Sequence, residues 1–323
     1  MPAQKRTIVV FGATGKAGGS VVRYILRDGT FAVRAVTRDA SSSNAKALVE
    51  QGAEVIQADL SKPDTIAAAL VGAYGVSGIT DFGAIMFSLG FDAAKSQAEE
   101  ERQGCALVDA ALVAGVQHFL WFTLPDADCP HYKGKANVAR YLKASGLPAT
   151  VFTNAYYFEN IANPIFDALR PSDDHHHHEA DYILNLALPK ETPILLYSVE
   201  QTGAWVLAAF KNPTTWIGKD IYAVSDVLSS AQIAMALSKA IQKRIVPREV
   251  TDAEFHAQAH SENALAASST SCTSAVWVDQ AATNAHAADE VVRASAEINS
   301  QQQDLETFLR ENDAFKSFLA GLA

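Results

Sequence analysis

Three glycines punctuate the stretch Gly12-Ala13-Thr14-Gly15-Lys16-Ala17-Gly18. It lies directly after the apolar run Ile8–Phe11 and directly before an amphipathic run that opens at Lys16. Glycine suits a tight turn, a close approach of backbone to a phosphate, and a helix packed hard on a strand. A helix that starts here would aim free N–H groups and the positive end of its dipole at an anion. In a strand–turn–helix context the pattern reads as a dinucleotide site, with Gly12, Thr14, Gly15, Lys16 and Gly18 around the pyrophosphate. Twenty residues beyond Gly18 stands Arg38, where an acidic residue would take the ribose hydroxyls of NAD(H). Arginine instead pairs with a 2′-phosphate and stacks on adenine, so NADP(H) is expected over NAD(H), with Asp39 next door blunting the preference. Asp59-Leu60 follows the third strand. There the carboxylate either accepts from the adenine amino group or caps a loop.

These residues need a scaffold, and the hydrophobic pattern supplies one. Ile8–Phe11, Phe31–Thr37, Glu54–Ala58, Gly75–Ile79, His118–Thr123 and Ala149–Thr153 read as strands. Between them, Lys16–Arg27, Asn44–Gln51, Ser96–Ala114 and Lys133–Ala144 read as helices stopped by Gly29, Gly52, Gly115 and Gly146. Pro63 marks the first turn of another helix, with Ser61 and Asp64 at capping-box spacing. Strands alternating with helices predict an α/β fold, a Rossmann-type doubly wound parallel sheet. The rhythm fixes a dinucleotide-binding domain over residues 1–155. Residues 156–323 form a smaller C-terminal α/β lobe closing the cleft, with some segments free to return to the first sheet. In that lobe Thr192–Tyr197 and Ile221–Val224 are strand-like, Thr202–Phe210 and Ser230–Ile241 helical, and Asp304–Phe308 opens a last helix. The stretch from about Ala257 to Gln303 is rich in Ala, Ser, Asn and Gln and reads as helices with loops.

Composition narrows the class further. The chain has 323 residues, 49% hydrophobic and 19% charged, enough for a large core without staples. Lys and Arg total 26 against 36 Asp and Glu, a net charge of −10, which does not attract a polyphosphate backbone, so direct nucleic-acid binding is not expected. Cys105, Cys129 and Cys272 form no pattern and read as reduced thiols of a cytoplasmic protein, with the nucleus as a second compartment open to it. No run reaches the ~20 apolar residues of a membrane span, and too few residues precede the first strand for a signal peptide. His175–His178, flanked by Asp173, Asp174, Glu179 and Asp181, has a metal-like composition, but a polar loop lacks a rigid supporting shell, so no metal site is expected.

Several segments resemble the NmrA-like family, atypical relatives of the short-chain dehydrogenases. They are Val10-Phe11-Gly12-Ala13-Thr14-Gly15, Gly18-Gly19-Ser20-Val21, Val36-Thr37-Arg38, Gln51-Gly52-Ala53-Glu54-Val55, His131-Tyr132-Lys133-Gly134-Lys135 and Tyr157-Phe158-Glu159-Asn160. The resemblance implies NADP(H) above the strand ends, with Tyr157, Phe158 and Asn160 against the nicotinamide. It also implies one of two roles. The first is a redox- or dinucleotide-responsive regulator with a protein partner such as a transcription regulator. The second is an NADPH-dependent reductase of a small carbonyl or quinone-like substrate. Either role suits a monomer or homodimer.

Short-chain dehydrogenases use Ser, Tyr and Lys: the phenol protonates the carbonyl oxygen, the lysine assists and holds the ribose, and the serine orients the substrate. Here Lys135 takes the lysine place and Thr123 the serine-like place. His131, not Tyr, stands four residues before Lys135, and Tyr132 is one place off, rotated by about 100° on a helix. Three readings stay open. Lys135 only holds the ribose, or His131 or Tyr132 donates the proton, or Lys135 is itself the acid. Tyr156, Tyr157 and Phe158 serve either as a wall to the pocket or as core.

Overall fold

A computed structural model describes residues 5–163, 168–172, 180–186, 188–251, 254 and 288–322. The run His175–His178, Cys272 and most of the Ala/Ser-rich 257–303 stretch lie outside the described residues. The chain divides into two compact units, residues 1–154 with 199–222 and residues 155–198 with 223–323.

The first unit alternates strand and helix: β1 (Thr7–Val10), α1 (Lys16–Asp28), β2 (Ala32–Thr37), α2 (Ser43–Glu50), β3 (Glu54–Gln57), α3 (Pro63–Leu70) and β4 (Ala73–Gly78). It continues through α4 (Phe82–Ser88), α5 (Ala93–Val113), β5 (His118–Thr123), α6 (Pro130–Ala144) and β6 (Ala149–Asn154). The sheet order is β11-β6-β5-β4-β1-β2-β3, with β11 (Asp220–Ala223) at one edge, and it is the parallel, Rossmann-type sheet expected. From β1 the chain winds outward to β3, then crosses back to β4 and winds the other way. The strand order therefore reverses between β1 and β4, and the crevice beyond their carboxyl ends is where such sheets receive ligands. Strands buried on both faces read as unbroken apolar runs, and His118–Thr123 is buried at every position.

Residues 199–222 return to this unit for a packing reason. On α7 (Thr202–Lys211), Gly203 lies so close to α1 that a Cβ there would meet the Ser20 carbonyl oxygen at 2.4 Å. The Ser20 hydroxyl donates to the Glu200 carbonyl at 2.6 Å and accepts from the Gly203 N–H at 3.0 Å. Two local expectations are corrected. Ser61 does not cap α3: Lys62 is the cap residue, it makes no side-chain cap bond, and the Thr65 hydroxyl takes the Asp59 N–H at 2.9 Å instead. Cys129 is disulfide-bonded rather than reduced, whereas Cys105 is a free thiol. The helix α4, with Phe87 exposed, was not anticipated.

The second unit holds two three-stranded sheets. One has the order β12-β10-β7, from β7 (Tyr156–Tyr157), β10 (Ile194–Tyr197) and β12 (Asp226–Leu228). The other has the order β13-β9-β8, from β8 (Leu169–Pro171), β9 (Tyr182–Leu184) and β13 (Ile245–Pro247). Phe158, Leu184, Leu196, Ile233, Leu237 and Phe308 share its core. No described helix is long and apolar enough to cross a membrane.

Candidate functional site

The turn after β1 is made almost entirely of backbone. Gly12 adopts φ +64°, a left-handed conformation open to glycine, and a Cβ there would also strike the Ile79 Cγ2 at 2.7 Å. The Gly15 N–H closes the turn onto the Gly12 carbonyl at 2.9 Å. Gly18 is needed for contact, not conformation: its Cβ would lie 2.2 Å from the Gly12 carbonyl oxygen, so nothing larger lets α1 seat against the turn. Gly15 is the N-cap of α1; no side chain caps the helix and its first turn carries no acidic residue. Gly12, Gly15 and Lys16 are exposed and Thr14 is half-buried. The first N–H groups of α1 are therefore offered outward at the positive end of a thirteen-residue helix.

The end of β2 adds charge to this edge. The Arg38 guanidinium is exposed and lies 3.5 Å from Asp81, which caps α4 through the Ala84 N–H. The neighbouring Asp39 carboxylate is turned into its own loop, accepting from the Ser41 hydroxyl at 2.6 Å and the Ser41 N–H at 2.8 Å. Those bonds hold its pKa below the ordinary value. Asp59 accepts from the Ser61 N–H at 2.9 Å. Burial pushes its pKa up, but the Ser61 hydrogen bonds and the charges of Lys62 and Arg38 outweigh this and hold it low. Leu60 packs against the core below.

At the end of β4 a closed knot of polar side chains forms. Lys135 is 8% exposed, and its ammonium donates to the Thr80 hydroxyl at 2.9 Å, to the Thr80 carbonyl at 3.2 Å and to Oε1 of Glu100. The Thr80 hydroxyl in turn donates to the same Glu100 oxygen at 2.7 Å. An ammonium carries three N–H bonds, and all three are accounted for. The helix α6 is fixed from below, where the Trp121 indole N–H donates to the Lys135 carbonyl at 3.1 Å.

The other residues of the anticipated catalytic set are similarly occupied. Thr123 is buried, and its hydroxyl donates to the adjoining Leu124 carbonyl at 3.1 Å. His131 lies on the first turn of α6, with Nδ1 3.3 Å from the Cys129 Sγ and its ring 5.6 Å from that of Phe82. Burial, with help from the Lys135 charge, pushes its pKa down to about 4, so it is neutral at pH 7. Tyr132 is buried, with its ring edge-on to His131. Tyr157, Phe158 and Asn160 belong to the second unit. Tyr157 stands edge-on to Tyr197, and burial pushes its phenol up to about 12. Phe158 is core there, and Asn160 ends a 3-10 turn. Among the described residues no cluster of His, Cys, Asp or Glu could hold a metal ion.

Thr80 and Glu100 were missed in the sequence. Glu100 sits in the run Glu99-Glu100-Glu101, which reads as a solvated helix face. Yet Ser96, Glu100, Gln103, Gly104, Leu107, Val108 and Ala111 are the buried stripe of α5, and their helical spacing was the available signal.

The NmrA-like family model matches residues 4–299. An NmrA-like family domain-containing protein of Dictyostelium discoideum is 26% identical over 265 residues, covering 77% of this chain and 82% of that protein. The NmrA-like family domain-containing oxidoreductase himF of Aspergillus japonicus is 31% identical over 247 residues, covering 69% of this chain and 70% of that one. Among solved structures, NmrA, a negative transcriptional regulator, superposes with TM-score 0.78 over 99% of both chains at 22% identity. Its complex with NADP gives TM-score 0.74 over 98% of both chains at 20% identity. These two likenesses establish a shared fold.

Proposed function

The chain belongs to the NmrA-like family, and from that premise we propose that it binds NADP(H) in the β1–β4 crevice and acts as a dinucleotide-responsive regulator. The observation that carries the binding is the glycine turn, whose Gly18 leaves no room for a Cβ and whose helix N-terminus is uncapped and exposed. Gly12, Thr14, Gly15, Lys16 and Gly18 would surround the pyrophosphate, which would sit on the free first N–H groups of α1, the Gly15 N–H being spent on the Gly12 carbonyl. Arg38, exposed at the end of β2, would take the 2′-phosphate in a forked, charge-assisted pair, while Asp39 is spent on Ser41. Asp59 and Leu60 would border the adenine. Lys135 would meet the nicotinamide ribose, since Gly12 touches Ile79 and the next residue, Thr80, grips the ammonium. The bound group would supply a hydride.

What favours a regulator is the state of the donors at the β4 end. Lys135 has every N–H committed, the Thr123 hydroxyl is turned to a local carbonyl, and His131 is neutral at pH 7 and so holds no ready proton. Such a site binds better than it transfers protons. The partner would be a protein, by analogy with NmrA, a negative transcriptional regulator. The second reading is an NADPH-dependent reductase of a small carbonyl or quinone-like compound. Its support is the Aspergillus relative named an oxidoreductase and a lysine, Lys135, held beside the end of β4 by Thr80. Calorimetric titration with NADPH, NADP, NADH and NAD, followed by a 340 nm absorbance screen over carbonyls and quinones, separates them. Tight NADP(H) binding, no turnover, and protein capture that changes with dinucleotide are expected. Substrate-dependent NADPH loss that Lys135→Ala removes would overturn the regulator in favour of the reductase.

A further inference from the structure

A carboxylate with no exposure needs a reason to be where it is, because taking a charge out of water is expensive unless it is paired. Glu100 is such a group: its relative exposure is 0%, Oε1 is shared by the Lys135 ammonium and the Thr80 hydroxyl, and Oε2 has no hydrogen-bond partner among the described residues. The chain makes room for it at a cost. Gly134 lies inside α6, where glycine is less favourable than alanine. A Cβ at that position would stand 2.8 Å from the Glu100 Oε2. The glycine thus lets the carboxylate of α5 come in beside the residue that precedes Lys135.

We propose that Glu100, together with Thr80, is a positioning residue that holds the Lys135 ammonium at the crevice for the nicotinamide half of the dinucleotide. The inference rests on the NADP(H)-binding reading above. A lysine on a flexible four-carbon stem loses rotamer freedom when it is recruited to a ligand. Here that loss is already met in the folded chain. Two of the three N–H bonds go to the carboxylate and hydroxyl that are themselves hydrogen-bonded together, and fix the nitrogen. The third goes to the Thr80 carbonyl at 3.2 Å, the longest of the set, and is the one exchanged for a ribose hydroxyl. Glu100 touches no ligand and acts only through Lys135.

The test uses the full chain and two ligands, NADPH and 2′,5′-ADP, which carries the adenine half and its 2′-phosphate but has no nicotinamide ribose. Glu100→Gln preserves shape and removes the charge. It should weaken NADPH by about tenfold, and 2′,5′-ADP by less than about twofold, a split that loss of fold would not produce. In a Lys135→Met background the same substitution should have no further effect on NADPH. Equal weakening of both ligands would make Glu100 merely structural and overturn the proposal. A rise in NADPH affinity would overturn it too, by showing that the carboxylate competes for the ammonium. If Lys135→Met weakens NADPH and Glu100→Gln does not, the proposal fails and the binding reading stands. If Lys135→Met leaves NADPH unchanged, the placement of Lys135 at the nicotinamide ribose fails with the proposal, and if the unaltered chain does not bind NADPH the binding reading itself fails. Should Glu100→Gln not fold, Thr80→Val keeps the ion pair and the carbonyl. It should show the same split at about threefold, and equal effects on the two ligands would count against the proposal.

Discussion

At the end of β1 the chain offers backbone to a ligand; at the end of β4 it offers side chains that already have partners. Gly12 and Gly15 are exposed, α1 has no side-chain cap, and its first turn bears no carboxylate. Lys135 is 8% exposed with its three N–H bonds committed to Thr80 and Glu100. The first arrangement stores unsatisfied donors that only an anion from outside can satisfy. The second has satisfied its charge internally, and a proton could leave it only by breaking a buried ion pair. One region leaves its donors open and the other holds still. On the reading proposed above, that combination serves a protein whose output is a bound state more readily than one whose output is turnover.

The largest expected effect comes from filling the space that the first region keeps empty. Gly18→Ala puts a methyl group 2.2 Å from the Gly12 carbonyl oxygen, which is backbone and cannot yield without moving the turn. NADPH affinity should fall more than about 100-fold, with a stability loss of about 2–3 kcal/mol typical of overpacking. Gly15→Val is the sharper probe. Its Cβ would meet the same oxygen at 3.3 Å, so the fold should survive while phosphate approach is blocked. Thermal melts and calorimetry on both variants check this, and unchanged NADPH binding in Gly18→Ala would show that the turn is no cradle.

The same contrast explains what could be read from the chain. A positive φ at Gly12 and a backbone contact at Gly18 leave glycine as the one residue that fits, so the requirement is written locally in the residue type. The six strands from β1 to β6 are similarly local, being apolar runs between glycine-stopped helices. The polar knot is written nonlocally. Glu100 reaches Thr80 across 20 positions and Lys135 across 35, and it hides between Glu99 and Glu101, of which Glu99 faces the exposed Arg102. Nothing in a run of three acids says which one points inward, except the spacing to Gly104, Leu107 and Ala111. In the second unit the strands are two to four residues long and pair with distant segments, such as Tyr156 with Leu196 and Ile245 with Tyr182. Such strands are too short to show a period.

Acid should separate the regions next, because the half-buried His131 lies on the closed side and the buried His118 in the sheet behind it. His118 is fully buried; its Nε2 lies 2.8 Å from the Thr150 hydroxyl, which donates to the Trp216 carbonyl, so His118 is the donor and its Nδ1 has no partner among the described residues. Burial pushes its pKa from 6.5 down to about 4, as it does for His131. Between those values the unfolded chain takes up a proton that the folded chain refuses. Stability is therefore complete above pH 6.5 and is lost as pH falls toward 4, by about 3 kcal/mol for each fully realised shift. His118→Gln retains an N–H for Thr150 but does not titrate. Melting curves from pH 7 to 4 should show a shallower loss in the variant, and parallel curves would remove His118 from the account.

Arg38→Ala tests the open region without touching its fold. The guanidinium is 64% exposed and its nearest charge, Asp81, is 3.5 Å away, so stability should change by less than about 0.5 kcal/mol. NADPH should weaken by about 10–30-fold, the size of one exposed charge-assisted pair, while NADH changes by less than about twofold. Equal losses for the two would take the 2′-phosphate away from Arg38.

The smallest effect is the one that bears most directly on the closed region. Thr123→Val is nearly isosteric and deletes a hydroxyl whose one hydrogen bond among the described residues is a 3.1 Å donation to the next carbonyl; the Asn154 amide bonds to the Thr123 carbonyl, which the substitution leaves in place. If the β4–β5 end only holds the ligand, stability should move by about 1 kcal/mol or less and NADPH affinity by less than about twofold. A reductase needs that hydroxyl free to orient a substrate oxygen, so in a reductase the same substitution would suppress substrate-dependent NADPH loss by about 100-fold or more while leaving NADPH binding intact. Running Thr123→Val and Gly15→Val side by side therefore separates the two ends of the crevice. Loss of binding in one and silence in the other fits a regulator, whereas loss of turnover in Thr123→Val would mean that the closed arrangement opens when substrate arrives.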